Sequence, residues 1–160
     1  MDSTFKNANI LIIDDQQANI DLLEEFLKTQ GFDHIQSTTD PLLTAMLFES
    51  FQPDLILLDL MMPQMSGFEV MEQLKTLIPV GVYLPVVVLT ADISSSARQR
   101  SLVRGARDFI TKPFDFVEVL FRIRNLLETR YFYLQLEKKN KILEEKIEMV
   151  IRMMNRWNKD

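Results

Sequence analysis

Hydrophobic and polar positions along the chain follow two alternating patterns. Short runs rich in apolar and β-branched residues predict strands, at residues 9–13, 32–38, 55–58, 84–89 and 107–111. Apolar residues at helical spacing follow each run and predict helices, at residues 16–30, 40–50, 66–78, 94–105 and from 115 onward. Strict alternation of five strands and five helices predicts an α/β fold, a doubly wound parallel sheet with helices on both faces.

The third apolar run ends in a single carboxylate, that of Asp59. A continuous apolar run of this kind is typical of a strand buried on both faces of a parallel sheet. Ligands of such sheets bind at the carboxyl ends of the strands. Asp59 is therefore the first candidate for chemistry, and the alternative is that it only caps a turn, as aspartate often does.

Four further polar residues follow the ends of other predicted strands: Asp14, Asp15, Thr90 and Lys112. In a parallel sheet these ends share one edge, so the side chains should lie near Asp59. Three neighbouring carboxylates repel one another unless a cation compensates them, and their oxygen ligands suit Mg²⁺. With metal and lysine neutralising charge, Asp59 could attack a phosphoryl group while Lys112 and the Thr90 hydroxyl hold its oxygens.

Composition excludes several other kinds of site. The chain has 160 residues, no cysteine, one histidine (His34) and a net charge of −5, so disulfides, thiolate metal sites and a nucleic-acid surface are not expected. No apolar run approaches the roughly 20 residues that span a bilayer, and no signal-peptide pattern opens the chain. We expect a cytoplasmic protein that contacts neither membrane nor nucleic acid directly.

Residues 8 to 128 resemble the receiver domain of two-component response regulators. The matching residues, in order, are Asp14 and Asp15, Asp59 followed by Met62, Pro63, Ser66 and Gly67, Thr90 and Ala91, and residues 105–114. The resemblance implies a five-stranded flavodoxin-like sheet of strand order 2-1-3-4-5. It also implies that a histidine kinase or phosphotransfer protein phosphorylates Asp59. Mg²⁺ would be held by Asp14, Asp15, Asp59 and the backbone carbonyl of Met61.

The same resemblance implies how the signal is read. A phosphoryl group on Asp59 would draw the Thr90 hydroxyl inward, and Phe109, the position of the switch aromatic, would rotate toward the core. The altered surface would be the face built from the fourth helix, the fifth strand and the fifth helix. Plain core packing is the alternative for Phe109. The bond between Lys112 and Pro113 corresponds to one that is usually cis in receivers.

After Thr129 the apolar pattern becomes a heptad repeat. With no glycine or proline between residues 115 and 160, the fifth helix should continue into this segment. The heptad predicts a parallel homodimer through residues 133–157, with Asn140 fixing the register and Lys139 reaching Glu144 of the partner. The a positions are Tyr133, Asn140, Ile147 and Met154, and the d positions are Leu136, Leu143, Val150 and Trp157.

These patterns predict a receiver domain over residues 1–128 and a coiled-coil helix over residues 129–160. The coil is similar to linkers that lead into cyclic-di-GMP enzymes, so the chain is either part of a longer regulator or delivers its output through the coil itself. The helix could instead pack back on its own domain or remain monomeric.

Two other functions fit parts of the site. Haloacid-dehalogenase-like phosphatases also use a strand-end aspartate, but their second, proton-transferring aspartate would stand at Met61, which cannot exchange a proton. A degenerate receiver that only dimerises is the other alternative. We expect no enzymatic activity beyond phosphorylation of Asp59 from a donor and its own dephosphorylation.

Overall fold

The computed structural model of the chain describes residues 5–92 and 94–157. The strands are β1 (Ile10–Ile13), β2 (Ile35–Thr38), β3 (Leu55–Asp59), β4 (Val86–Thr90) and β5 (Asp108–Thr111). The helices are α1 (Gln17–Thr29), α2 (Thr44–Phe51), α3 (Gly67–Leu77), α4 (Ser95–Val103) and α5 (Phe116–Trp157). All neighbouring strands pair in parallel, in the order β2-β1-β3-β4-β5, which confirms the predicted doubly wound sheet.

The sheet separates two hydrophobic cores, because successive side chains of a strand point to opposite faces. In β1, Ile10 and Ile12 pack with α1 and α5, whereas Leu11 and Ile13 pack with α3. Strands β1, β3 and β4 are buried along their whole length. The central strands thus lie between two apolar layers, and polar side chains gather at their carboxyl ends.

Two element boundaries differ from the sequence prediction by more than two residues. Strand β2 begins at Ile35, because Gly31 (φ +87°) and Phe32 instead complete the end of α1. Their backbone N–H groups donate to the carbonyls of Lys28 (3.0 Å) and Leu27 (3.1 Å), the paired bonds of a Schellman motif. The second helix also opens differently from the prediction, with a short 3-10 turn over Pro41–Leu43 before α2.

Helix α5 continues from Phe116 to Trp157, roughly 60 Å at 1.5 Å per residue. Its first part buries Val119, Ile123 and Leu127 against the sheet. From Leu136 onward every described side chain is exposed; we call residues 131–157 the rod. Among the described residues, no helix combines the length and apolar character needed to cross a membrane.

One ion pair fixes the direction in which the rod leaves the domain. Arg130 reaches back to the edge of the sheet opposite Asp59, where its Nε lies 3.3 Å from Asp54 Oδ1 and its Nη1 donates to the Tyr83 carbonyl at 2.6 Å. Asp54 in turn accepts from the backbone N–H of Asn9 at 3.0 Å. Only 13% of the Arg130 side chain is exposed, so these bonds are partly shielded from water.

We expect Arg130→Met to lower the free energy of unfolding by about 2 kcal/mol, because hydrogen bonds to a charged group contribute about 1.5 to 3 kcal/mol. Urea denaturation measures the change. The matched control is Lys28→Met, which removes the ion pair between Lys28 and Glu24. The Lys28 side chain is 56% exposed, so this substitution should lower the free energy of unfolding by at most about 0.5 kcal/mol. Equal effects of the two substitutions would contradict a specific role for Arg130.

Candidate functional site

Three carboxylates meet at the carboxyl edge of the sheet. Asp14 and Asp15 follow β1, and Asp59 is the last residue of the adjacent β3. The pairing of Ile13 with Leu58 sets Asp14 beside Asp59. One oxygen from each of the three aspartates lies within 4.8 Å of the others, so residues that are distant in sequence share one small volume.

Lys112, just after β5, provides the positive charge of the cluster. Its Nζ lies 2.7 Å from Asp14 Oδ2 and 3.3 Å from Asp59 Oδ1. Its backbone N–H donates to the carbonyl of Thr90 at 2.8 Å, which ties the end of β5 to the end of β4. The peptide bond between Lys112 and Pro113 is cis, as the family resemblance implied.

Burial and, second to it, the nearby carboxylate of Asp14 raise the pKa of Asp59 from its ordinary value of 3.8 to about 6. Lys112 and a hydrogen bond from the Met61 backbone N–H, 3.3 Å from Asp59 Oδ1, act in the opposite direction without cancelling the rise. The cluster therefore has more negative charge than one lysine compensates.

This excess charge and the available oxygens fit a hard divalent cation. Asp15 Oδ1 is buried without a hydrogen-bond partner among the described residues, and a buried unpaired oxygen is costly unless something binds it. The Met61 side chain is 70% exposed and offers no hard ligand. Its backbone carbonyl is therefore the group that it could contribute to a metal.

Thr90 and Phe109 lie on the neighbouring strands of the same edge. Thr90 is buried, and its hydroxyl oxygen accepts the backbone N–H of Asp92 at 3.0 Å. Phe109 is half-buried against the core on the α3 side, and the guanidinium of Arg98 from α4 lies 4.8 Å from its ring centre. Phe109 thus stands between core and surface, held on its outer side by a cation–π contact.

The loop after Asp59 is held by a compact helix start. Ser66 and Glu69 form a reciprocal capping box, in which the Ser66 hydroxyl accepts from the Glu69 N–H at 3.3 Å and the Glu69 carboxylate from the Ser66 N–H at 2.8 Å. Gly67 donates to the Leu60 carbonyl at 3.0 Å. A Cβ on Gly67 would lie 2.3 Å from the Asp59 carbonyl oxygen, so only glycine fits here.

Sequence reasoning missed one residue that touches the cluster. The Asn19 side-chain amide donates to both Asp14 oxygens, at 3.3 and 3.2 Å, and the backbone N–H of Gln16 donates to Asp14 Oδ1 at 2.9 Å. These bonds orient the Asp14 carboxylate. The sequence feature that could have indicated this contact is the position of Asn19 on the first turn of α1, five residues after Asp14.

The family model described as "Response regulator receiver domain" matches residues 10–124, which is most of the chain and includes every site residue named above. The chain belongs to the response regulator receiver domain family. This is the family that the order of the sequence motifs indicated. Receiver domains are signalling switches rather than conventional enzymes.

Curated relatives agree with this family. The chain is similar to "Response regulator PleD" of Caulobacter vibrioides, with 41% identity over 120 residues, covering 75% of this chain and 26% of that protein. It is also similar to "DNA-binding dual master transcriptional regulator RpaA" of Synechocystis, with 38% identity over 136 residues, covering 85% of this chain and 56% of that protein. The receiver chain thus spans about a quarter and about half of these two relatives.

A solved structure shows the same fold. The crystal structure of a CheY-like response regulator receiver domain protein from Methanospirillum hungatei superimposes with a TM-score of 0.70 and 25% identity, covering 78% of this chain and 96% of that one. The superposition therefore includes almost all of the Methanospirillum hungatei receiver domain but leaves about a fifth of the present chain unmatched.

Proposed function

We propose that this receiver domain is a phosphoacceptor switch of a two-component system, phosphorylated on Asp59 by a histidine kinase or a phosphotransfer protein. The observation that supports the proposal is the meeting of three carboxylates and Lys112 at one sheet edge, within 4.8 Å for the carboxylates. Asp59 is the member of this cluster that ends the central strand, and its Oδ1 lies 3.3 Å from the Nζ of Lys112. Met61, two residues later, is 70% exposed.

The site would hold Mg²⁺ through the carboxylates of Asp14, Asp15 and Asp59 and the carbonyl of Met61. When bound, Mg²⁺ would supply the positive charge that lets an anionic phosphoryl group approach a carboxylate. Asn19 keeps the Asp14 carboxylate oriented. The unpaired Asp15 oxygen supports this assignment, because metal ligation would satisfy it.

In the transfer step, a carboxylate oxygen of Asp59 attacks phosphorus, and the bond from phosphorus to the donor breaks as the new oxygen–phosphorus bond forms. The Lys112 ammonium, now 3.3 Å from Asp59, would bind an oxygen of the transferred group. The Thr90 hydroxyl would donate to another oxygen, and in doing so would rotate away from the Asp92 N–H that it now accepts.

The inward movement of Thr90 would let Phe109 follow, and Phe109 would then leave the Arg98 guanidinium. The change would reach α5 through β5, where Arg122 forms ion pairs with Asp108 and with Glu118, the latter at 2.7 Å. Because α5 continues into the rod, a shift of this helix would be transmitted along its length. The face of α4, β5 and α5 is thus the proposed route of the signal.

We further propose the division into a receiver over residues 1–128 and a coiled-coil helix over residues 129–160. In this proposal the rod forms a parallel homodimer through residues 133–157, which would bury side chains that are now exposed, such as Leu136 (58%) and Leu143 (58%). Similarity to linkers of cyclic-di-GMP enzymes suggests that the rod leads to an output domain or partner. We also propose that the protein is cytoplasmic and contacts neither nucleic acid nor membrane directly.

The proposal is tested by incubating the protein with Mg²⁺ and acetyl phosphate and measuring the intact mass. We expect the mass of one phosphoryl group to be added to the native protein, and none in Asp59→Ala or when EDTA removes the metal. Asp92→Ala, on the same edge but outside the cluster, is the matched control and should still form the adduct. An adduct that persists in Asp59→Ala would overturn the assignment.

The same experiment separates the proposal from its alternatives. Failure of the native protein to form the adduct, together with failure to bind beryllofluoride and Mg²⁺, would favour a receiver that serves only as a dimerising scaffold. Continuous turnover of a generic phosphomonoester would favour a phosphatase. We expect neither result, because the cluster is complete and Met61 cannot transfer a proton.

A further inference from the structure

Tyr133 is the first a residue of the predicted coiled coil and lies between two sides of α5. An α-helix turns by about 100° per residue, so residues three apart in sequence point about 60° apart around its axis. Arg130, three residues earlier, faces the receiver, and its side chain is 13% exposed. Leu136, three residues later, is 58% exposed and is the first d residue of the seam, the contact that the a and d residues would form in the pair. Tyr133 therefore lies midway between the receiver and the seam.

The Tyr133 ring is directed toward the receiver. Its centre lies 6.4 Å from the centre of the Tyr83 ring, a distance at which aromatic rings attract each other. The Arg130 guanidinium lies 5.8 Å from the Tyr133 ring centre and also donates to the Tyr83 carbonyl at 2.6 Å. These contacts leave Tyr133 half-buried against its own receiver.

Tyr83 also contacts the start of β5. The Arg107 guanidinium lies 5.0 Å from the Tyr83 ring centre, and the Arg107 backbone N–H donates to the Val86 carbonyl at 2.9 Å. Arg107 precedes Phe109 by two residues, and side chains two residues apart along a strand lie on the same face. Tyr83 therefore joins the strand that carries the proposed switch aromatic to the base of the rod.

We propose that Tyr83 holds the Tyr133 ring on the receiver side while Asp59 is unphosphorylated, and that phosphorylation releases this ring into the seam. The inference rests on the phosphoacceptor and the parallel pair proposed above. The inward movement of Phe109 displaces the start of β5 together with Arg107, which weakens the contacts that hold Tyr83 in place. Tyr133 then rotates away from Tyr83, about its own side-chain bonds, toward the seam.

The released ring adds one layer to the coil. In a parallel pair, residues at the same a position of the two helices meet each other, so Tyr133 of one copy would pack against Tyr133 of the other. Without this layer the apolar seam begins one position later, at Leu136. The coupling is reciprocal, because any ligand that favours one of two states is itself bound more tightly in that state. Formation of the pair should therefore favour the phosphorylated receiver.

Sedimentation equilibrium of the full chain, with and without beryllofluoride and Mg²⁺, measures the dissociation constant of the pair. We expect beryllofluoride to lower the native constant about tenfold, which corresponds to about 1.4 kcal/mol, the size of one aromatic pair. Tyr83→Leu removes the ring that holds Tyr133 but keeps the carbonyl that Arg130 binds. This variant should have the lower constant without beryllofluoride and show no further change when it is added.

Two more variants make the comparison specific. Arg107→Met keeps the Tyr83 ring and removes the guanidinium beside it, so it should also lower the constant without beryllofluoride, even if Tyr83→Leu fails to fold. The matched control is Tyr131→Leu, which replaces a neighbouring ring of α5 that contacts Phe5 and lies outside the a and d positions. Tyr131→Leu should respond to beryllofluoride as the native protein does.

The position of the ring is tested by fluorine NMR, because the chain has only three tyrosines. Incorporated 3-fluorotyrosine gives one resonance for each, and replacing each tyrosine with phenylalanine assigns it. On addition of beryllofluoride and Mg²⁺, the Tyr133 resonance should move to the position that it has in Tyr83→Leu. The Tyr131 resonance should move much less.

The outcomes separate this inference from the proposals on which it rests. Equal tightening of the native pair and the Tyr83→Leu pair by beryllofluoride, or an unmoved Tyr133 resonance, would overturn the release of Tyr133. A phosphoryl adduct on Asp59 with an unchanged dissociation constant would overturn it too and leave the phosphoacceptor standing. Absence of the adduct in the intact mass would overturn both, and absence of any pair would overturn the parallel homodimer together with this inference.

Discussion

Replacing Asp59 with Asn is expected to raise the free energy of unfolding of the metal-free protein by about 2 kcal/mol at about pH 8, while abolishing phosphorylation. Asp59 is only 4% exposed, and burial together with the neighbouring Asp14 carboxylate raises its pKa from 3.8 to about 6. A carboxylate that ionises less readily in the folded state than in the unfolded state destabilises the fold once it is charged. Asparagine removes that charge and leaves Lys112 paired with Asp14 at 2.7 Å.

The pH dependence of this effect follows from the direction of the shift. Below about pH 4, Asp59 is protonated in both states and contributes no penalty. As the pH rises from about 4 to about 6, the unfolded state ionises first, so the folded protein loses stability through this group, and above about pH 6 the penalty is complete. The advantage of Asp59→Asn should therefore grow through this interval and then remain constant.

Urea denaturation in EDTA across this pH range measures the difference between the native protein and the variant. The control is Asp92→Asn, because a hydrogen bond from the Ser94 backbone N–H lowers the pKa of Asp92 and its replacement should not stabilise the fold at any pH. Mg²⁺ should stabilise the native protein more than Asp59→Asn, because binding to the folded state alone adds to its stability. Parallel pH profiles for native protein and Asp59→Asn would contradict the shifted pKa.

The sheet and the meeting of the site residues were predictable because both depend on short-range patterns and one topological rule. Strands β1, β3 and β4 are apolar runs buried on both faces, and a parallel sheet brings the carboxyl ends of its strands to one edge. Asp14, Asp15, Asp59, Thr90 and Lys112 could therefore be grouped from sequence alone, although their roles remain proposals.

Features that depend on side-chain orientation were not predictable in this way. The contact of Asn19 with Asp14 depends on the rotation of α1 about its axis, which its apolar spacing fixes only approximately. The anchoring of Arg130 by Asp54 and the Tyr83 carbonyl joins three segments that are far apart in the chain. The heptad after Thr129 was visible, but its pattern alone does not state how many helices meet there.

Replacing Gly67 with Ala is expected to lower the free energy of unfolding by about 2 kcal/mol and to slow phosphorylation of Asp59 by about 10²-fold. The new Cβ would lie 2.3 Å from the Asp59 carbonyl oxygen and 2.8 Å from Leu60 Cα. Both are backbone atoms at the end of the buried central strand, so neither can move aside cheaply, and overpacking of this kind costs about 1 to 3 kcal/mol.

Helix propensity and steric clash act in opposite directions on the free energy of unfolding of Gly67→Ala, and their magnitudes decide whether it rises or falls. Alanine is the better helix former by up to about 1 kcal/mol, and Gly67 is the first residue of α3. The clash exceeds this gain because relieving it requires the start of α3 to separate from the end of β3. A displacement of about 1 Å at Asp59 is enough to reduce the rate about 10²-fold, because phosphoryl transfer depends on the alignment of the reacting atoms.

Gly81→Ala distinguishes steric contact from backbone strain. Gly81 has φ +85° and nothing within 4 Å of an added Cβ, so its replacement should cost about 1 kcal/mol through the left-handed backbone alone and leave the rate of adduct formation unchanged. Urea denaturation and the time course of the intact mass measure the two effects. If Gly67→Ala slowed phosphorylation no more than Gly81→Ala, the contact of α3 with Asp59 would not control the geometry of the site. If only Gly67→Ala slows it, the packing of one helix start against one strand end determines where the phosphoacceptor lies.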